Sequence, residues 1–512
     1  MLVKVYGASV QGLSAIPVTV EVNSSKGVKF YLVGLPDNAV KESHQRIMAA
    51  IENSGFCYPS RRFVVNLAPA DIRKEGAGFD LPIAVAILAT DGKVKADKLP
   101  RTMMVGELSL DGGLQPVKGV LPIAIKAREM GFESLIVPEQ NVREAAVVNR
   151  LKVYGANHIC QVVRFLNGEG ELEPTEIDTR TEFYAQQSQF DFDFADVKGQ
   201  ENVKRALEVA AAGGHNVIMI GPPGSGKSMM AKRLPSILPP LSLSESLETT
   251  QIHSVAGKLG RDSSLIAQRP FRAPHHTISQ IALVGGGSNP QPGEVSLAHN
   301  GVLFCDELPE FSRAVLEVLR QPLEDRQINI ARAKYSITYP CSFMFVASMN
   351  PCPCGYYNHP TKACVCTPGQ IHRYLHKISG PLLDRIDLQI EITPLSFEEL
   401  SRTAPGESSA TIRERVVRAR KVQEERYAGE NGVHCNAQMT SRLLREHAVL
   451  DERCTEMLRA AMTRLQLSAR AYDRILRVAR TIADLAGGGP IQLEHIAEAI
   501  GYRNLDRSNW GE

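Results

Sequence analysis

Eight consecutive residues, Gly221, Pro222, Pro223, Gly224, Ser225, Gly226, Lys227 and Ser228, follow directly on the short apolar run from His215 to Ile220. The spacing GxxxxGKS suits phosphate held by backbone N–H groups at a helix N-terminus, and Gly224 and Gly226 let such a loop bend and approach closely. In that arrangement Lys227 reaches the β- and γ-phosphates and Ser228 ligates magnesium. A second apolar run, Val302 to Cys305, ends in Asp306 and Glu307. One carboxylate orients the magnesium ion and the other polarises the attacking water, because hydrolysis of a phosphoanhydride needs a positioned nucleophile more than covalent help. A third run, Ser342 to Ser348, ends at Asn350, an amide where strand ends meet a γ-phosphate. Asparagine at a strand end is also a common turn former.

Four cysteines suggest a different chemistry. Cys352 and Cys354 are separated from Cys364 and Cys366 by residues 355–363, which include Gly, Asn, His and Pro. A loop that folds back there brings four thiolates to one tetrahedral zinc ion, the ligand set of closed structural sites. The CxC spacing is tighter than the usual one, and His359, His372 or His376 is an alternative ligand. Buried reduced thiols or a redox-labile pair are the competing reading. With no open coordination position, the metal is structural rather than catalytic.

These groups must be positioned by several domains. At roughly 150 residues each, 512 residues make about three to four. An apolar share of 43% and a charged share of 22% exclude a disordered or collagenous chain. Lys plus Arg is 58 and Asp plus Glu is 56, so any polyanion surface is a local patch. No apolar stretch approaches the roughly 20 residues of a membrane span. The N-terminus reads as lacking a cleavable leader, and ten cysteines are too sparse for a disulfide scaffold. A cytoplasmic protein is expected. Residues 1–167 alternate β-rich and helical runs, 168–193 read as a linker, 194–394 alternate strands and helices in the manner of a parallel-sheet nucleotide-binding domain, and 395–512 read as helical.

The order GPPGSGKS, RPFRAPHHT, GVLFCDE, SMNPCPCG and SGPLLDRID resembles the magnesium-chelatase-like AAA+ ATPases. The resemblance implies an α/β fold: an AAA+ P-loop core with a parallel sheet, a preceding Lon-protease-like α/β domain and a following α-helical lid. It also implies a ring, usually a homo-hexamer, with ATP between subunits. Arg385, in Leu-Leu-Asp-Arg-Ile-Asp, matches the arginine finger that reaches the neighbour's γ-phosphate; a local pair with Asp384 or Asp387 is the plain alternative. The run from Ala469 to Ala486 carries an apolar stripe at Tyr472, Ile475, Leu476, Ala479, Ile482, Ala483 and Ala486, with Arg470, Arg474 and Arg477 on the opposite face. Position in the motif makes Arg470 the sensor-2 arginine.

In Lon-like proteases a serine opens a helix and a lysine some distance on acts as its base. Here Asp80 stands near the serine position and Leu121 near the lysine position, with Lys118 and Lys126 close by. A carboxylate is a poor nucleophile toward an amide, so peptide hydrolysis is not expected. Two alternating runs meet at Ala-Arg332-Ala-Lys334, the pattern of a β-hairpin with a basic tip. In helicase rings that resemble this chain the corresponding hairpin enters the central pore, where Arg332 and Lys334 would grip phosphates without regard to sequence; a solvated hairpin turn is the plain alternative. The glycine-rich stretch from Leu283 to Gly293 is a second pore candidate. Arg413, Arg415, Arg418, Arg420 and Lys421 form a basic stripe that reads more readily as a solvated face. The function expected is an ATP-driven motor on single-stranded or branched DNA, as a helicase or branch-migration enzyme. The alternative is a motor that remodels a protein partner.

Overall fold

The computed structural model describes residues 1–170, 172–260, 263–287, 290–332, 335–394, 406–430 and 432–503. Two compact units emerge. The first comprises Met1–Ala185 with Leu243–Ile266, the second Gln186–Ser242 with Ala267–Glu512.

The first unit is built on a mixed seven-stranded sheet in the order Phe30–Val33, Arg62–Ala68, Ser14–Ser25, Leu2–Gln11, Thr102–Met104, Ser134–Pro138, Lys152–Ala156. Leu2–Gln11 and Ser14–Ser25 are antiparallel, with Gln11 opposite Ser14, so two residues make the turn. Gly12, at φ 62°, supplies the left-handed conformation such a tight turn requires. The helix Asp80–Thr90 is buried at every position, as expected of a sequence apolar all round. A helix from much later in the chain, Leu243–Ala256, belongs to this unit. Gly119 donates its N–H to the Ser254 carbonyl at 3.1 Å, and Ser254 Oγ donates to the buried Glu144. The region read as a linker carries the helix Thr179–Gln186. Phe183 there is buried, and Glu182 accepts from Arg143 at 2.9 Å and from Ser264 at 3.0 Å. Those partners lie far off in sequence, so no local pattern announces the helix.

The second unit holds a five-stranded, all-parallel sheet in the order Phe271–Arg272, Val302–Cys305, Met344–Met349, Val217–Ile220, Leu388–Glu391. The strand before the phosphate loop thus lies between the fourth and fifth strands of this sheet, counted along the chain. The three inner strands are buried along their whole length, matching their continuous apolar runs. Among the described residues, five helices follow the sheet: Ser409–Arg426, Ser441–His447, Glu452–Arg464, Ala469–Leu485 and Leu493–Gly501. Ile412, Val416, Ile475 and Ile496 of these helices share one hydrophobic core with Val217, Val346 and Leu388 of the sheet. Among the described residues, no helix is long and apolar enough to cross a membrane.

Candidate functional site: a phosphate loop, a strand-end carboxylate pair and a four-cysteine loop

Val217–Ile220 delivers the chain to the loop, and the helix Lys227–Arg233 leaves it through Gly226, which caps the helix at φ 84°. Lys227 Nζ donates to the carbonyls of Gly221 at 2.7 Å and Pro222 at 2.9 Å, and to Asn350 Oδ1 at 3.3 Å. Burial lowers its pKa, while the charges of Asp306 and Glu307 work the other way. Ser228 Oγ donates to Asp306 Oδ2 at 2.6 Å. The residues that the sequence assigned to lysine, magnesium and γ-phosphate roles therefore meet at one point.

Parallel pairing explains why. Ile220 lies opposite Met349, and Cys305 opposite Ala347, so the three strands end at one edge. Ser348, which sequence reasoning missed, donates to Asp306 and accepts the Glu307 N–H at 3.3 Å. Glu307 sits at φ 53°, a left-handed conformation unusual for a side chain of this size. Its carboxylate is 57% exposed and stands 3.8 Å from His276 Nδ1. That histidine falls within the RPFRAPHHT run, to which the spacing of residues alone assigns no chemistry.

Arg385 and Arg470 lie apart from Lys227 and together line a cavity of about 170 Å3, with Glu324, Asp384 and Arg474. Arg385 donates to Glu324 and to the Pro381 carbonyl at 2.6 Å, and its buried Nε finds no partner among the described residues. The plain local alternative, a pair with Asp384 or Asp387, is not what is found. Arg470, 69% exposed, bonds Asp384 at 2.7 Å. Arg474 and Arg477, on the face opposite the apolar stripe, turn to partners within the unit. Arg474 bonds the buried Asp387 at 2.8 Å, and Arg477 donates to the Met439 carbonyl at 2.7 Å. Burial would raise the Asp387 pKa, but Arg474, His215 and Arg477 outweigh it and hold the carboxyl well below its usual range. Tyr472, expected in the apolar stripe, is 40% exposed.

The cysteine loop hangs directly from the Asn350 strand. Cys352 Sγ lies 3.3 Å from Cys354 Sγ and 3.7 Å from Cys364 Sγ, and all four sulfurs, with that of Cys366, fall within 4.8 Å of one another. The group contains no histidine. His372 and His376 face each other at 2.9 Å, and His359 Nδ1 accepts the N–H of Lys362 at 3.1 Å. Burial opposes ionisation of Cys354, yet the N–H groups of Tyr356 and Val365 aimed at its sulfur bring it down to about 6. Four converging sulfurs with backbone donors fit a tetrahedral soft metal ion.

Gln327–Arg332 and Tyr335–Pro340 pair antiparallel with Arg332 opposite Tyr335, so the hairpin forms as expected. Lys334 lies outside the described residues. Tyr339 anchors the base by donating to the Pro290 carbonyl at 2.9 Å, which joins the hairpin to the glycine-rich stretch. Of the basic stripe, Arg415 is held by Glu208 and Glu407, and Arg420 donates to the Ala211 carbonyl at 2.8 Å. In the first unit, Asp80 has no exposed surface and accepts two bonds from Arg46, at 2.9 and 3.1 Å. Leu121 is buried, and Lys126 pairs with Glu129 at 3.1 Å.

Comparison with known proteins agrees with this geometry. Residues 193–400 match the family described as magnesium chelatase, subunit ChlI; residues 20–141 match subunit ChlI of Mg-chelatase; residues 406–503 match its C-terminal family. The chain is 46% identical over 509 residues to the competence protein ComM of Haemophilus influenzae, covering 98% of this chain and 97% of the relative. It is 45% identical over 503 residues to YifB of Escherichia coli, covering 97% and 96%. Over 149 residues, 28% of this chain and 27% of the relative, it is 34% identical to Lon protease 2 of Bacillus subtilis.

Proposed function

Because the chain belongs to the family of magnesium chelatase subunit ChlI, of the AAA+ type, we propose that it is an ATP-driven, ring-forming motor that moves single-stranded or branched DNA in the cytoplasm. Recombination and integration of transforming DNA is the setting, by analogy with the competence protein it is similar to. The observation that carries the ATPase part is the contact of Ser228 with Asp306 at 2.6 Å beside Lys227 and Asn350. Residues 221–228 would cradle the phosphates, Ser228 and Asp306 would hold magnesium, and Asn350 would read the γ-phosphate. Glu307, exposed at the strand end, orients the attacking water.

Arg385 and Arg470 act together on the nucleotide of the next subunit in the ring. Their shared cavity, apart from Lys227, favours this reading, and so does the Arg385 Nε, which has no partner among the described residues. Such an arginine stabilises charge that develops in the transition state. The four cysteines would hold one structural zinc ion, which contributes folding energy to the loop beside Asn350. The first unit is read as non-proteolytic, since Arg46 occupies both oxygens of Asp80.

The DNA part rests on the antiparallel strands Gln327–Arg332 and Tyr335–Pro340 and on the basic residues Arg332 and Lys334 in the sequence there. It is tested by ATPase rates with and without single-stranded, duplex and branched DNA. Stimulation by branched DNA is expected. Replacing Arg332 and Lys334 by Ala should weaken binding for all sequences alike and flatten the salt slope by about 0.7 to 0.9 for each phosphate no longer neutralised. No binding at low salt and no stimulation would overturn the DNA reading. A motor on a protein partner would then be the better account, since the matched families are those of a chelatase subunit.

A further inference from the structure

Beside the phosphate loop lies a cavity of about 400 Å3, closed at one point by Pro394 and walled mainly by three stretches of chain. One is the segment around Val197 and Gln200, one is the phosphate loop from Pro222 to Gly226, and the third is the cysteine loop, through Tyr356, His359 and Lys362. All three residues of the third wall lie between Cys354 and Cys364, inside the span that the sulfurs close.

We propose that Tyr356, His359 and Lys362 form the wall that receives the nucleoside half of the bound nucleotide, so that nucleotide affinity depends on an intact four-sulfur cluster. This deepens, and rests on, the reading of residues 221–228 as an ATP site. The chemistry of the wall suits the base of a nucleotide. Tyr356 and His359 meet edge to face with centroids 5.5 Å apart, and Lys362 Nζ stands 4.9 Å from the Tyr356 ring centroid. Aromatic faces stack on any base, and a neighbouring ammonium adds attraction to ring and phosphate alike. The ring of His359 is fixed because its Nδ1 accepts N–H bonds from Thr361 at 3.2 Å and Lys362 at 3.1 Å.

Contact geometry ties the wall to the cluster. Gly355, at φ 84° between Cys354 and Tyr356, lies so close to the phosphate loop that a Cβ there would stand 2.6 Å from Pro223 Cδ. Asn350, two residues before Cys352, accepts from Lys227 at 3.3 Å. The start of the cysteine loop is thus seated on the phosphate loop, and its return is fixed through Cys364 and Cys366. Opening the cluster gives residues 355–363 back the conformational freedom that closure removes, and the wall is no longer preorganised.

The test is equilibrium binding of N-methylanthraniloyl-ADP to the full chain, with bound zinc quantified by a metallochromic dye before and after chelation. Tyr356→Ala should weaken binding about five- to tenfold, and Tyr356→Phe should restore it, since the ring and not the hydroxyl is used. Removing the metal, or the double change Cys364→Ser with Cys366→Ser, should weaken binding at least as much. Hydrogen exchange within residues 355–363 should slow on nucleotide binding in the unaltered protein. Lys227→Ala separates the two readings. If it abolishes binding while Tyr356→Ala and the metal-free protein bind normally, the wall is overturned and the ATP site stands. If Lys227→Ala binds as well as the unaltered protein, the ATP site and the wall both fall. Because Tyr356 is not a metal ligand, its variants decide the matter even if the cysteine variants do not fold.

Discussion

Glu307 and Asp80 are both carboxylates next to the start of a helical turn, one in each unit, and the structure treats them in opposite ways. Glu307 is 57% exposed with His276 Nδ1 3.8 Å away, while its backbone is fixed by bonds to Asp306 and Ser348. Asp80 has no exposed side-chain surface, and Arg46 and the Leu108 N–H occupy its oxygens. The arginines differ in the same way. Arg46 gives two bonds to one buried carboxylate, whereas the buried Nε of Arg385 has no partner among the described residues and its Nη2 leans on a largely exposed Glu324. A group kept fixed in backbone but unpaired in side chain is available for chemistry, and a group paired at both oxygens serves the fold. At these two carboxylates the second unit keeps a charge available, and the first has turned one into structure.

The sharpest way to break that contrast is at Arg385. Arg385→Ala should reduce ATP turnover about a thousandfold, the usual scale for an arginine finger. Rings mixed from Arg385→Ala and Lys227→Ala subunits should regain part of the activity, because each supplies what the other lacks. Mixed rings as inactive as either parent would count against action between subunits. Next in size, Glu307→Gln should lower turnover about a hundredfold or more while nucleotide binding persists, since only water activation is lost. Asp80→Asn, assayed alongside, should leave turnover within about twofold. Equal losses from the two changes would erase the difference between the two carboxylates. For the first unit, Arg46→Ala should destabilise it by about 3 kcal/mol, because a buried carboxylate is left without its ion partner. Hydrogen exchange across Asp80–Thr90 reads that loss directly.

What was legible in the sequence was whatever depends on short spacing. Residues 221–228 dictate their own backbone, and Asp306 and Asn350 follow apolar runs whose parallel pairing is conventional. Four cysteines within a fifteen-residue span, 352–366, likewise converge because the loop between them is rich in turn formers. The rest depends on partners distant in the chain. Ser348 touches Asp306 only because Cys305 lies opposite Ala347. Arg474 and Arg477 look solvated on a helical wheel, yet Asp387 and the Met439 carbonyl draw them inward. The helix Leu243–Ala256 belongs to the first unit through Gly119 and Glu144, more than a hundred residues earlier, which no local pattern encodes.

The smallest effect expected concerns pH, and it tests the structural role of Asp80 from another side. Burial pushes its carboxyl up to about 6, with the bonds and charge of Arg46 pulling the other way. An unfolded chain titrates such a group near 4. Between those values the folded protein holds the proton more tightly than the unfolded one, so this site contributes stability at low pH that is lost as pH rises through about 6. The largest possible contribution is about 3 kcal/mol, from a shift of about 2 units at about 1.4 kcal/mol each. Other carboxylates follow the opposite trend, among them Asp387, whose pKa is lowered and whose contribution is lost as pH falls. The measurement must therefore be local and differential. Hydrogen exchange of the buried helix Asp80–Thr90, corrected for the intrinsic rate, should show greater protection near pH 5 relative to pH 7.5 in the unaltered protein than in Asp80→Asn. The variant is neutral throughout, so its slope lacks the Asp80 component. If the two slopes coincide, Asp80 is ionised across the whole range, and Arg46 holds it as a full ion pair rather than as a carboxyl that takes up a proton near pH 6.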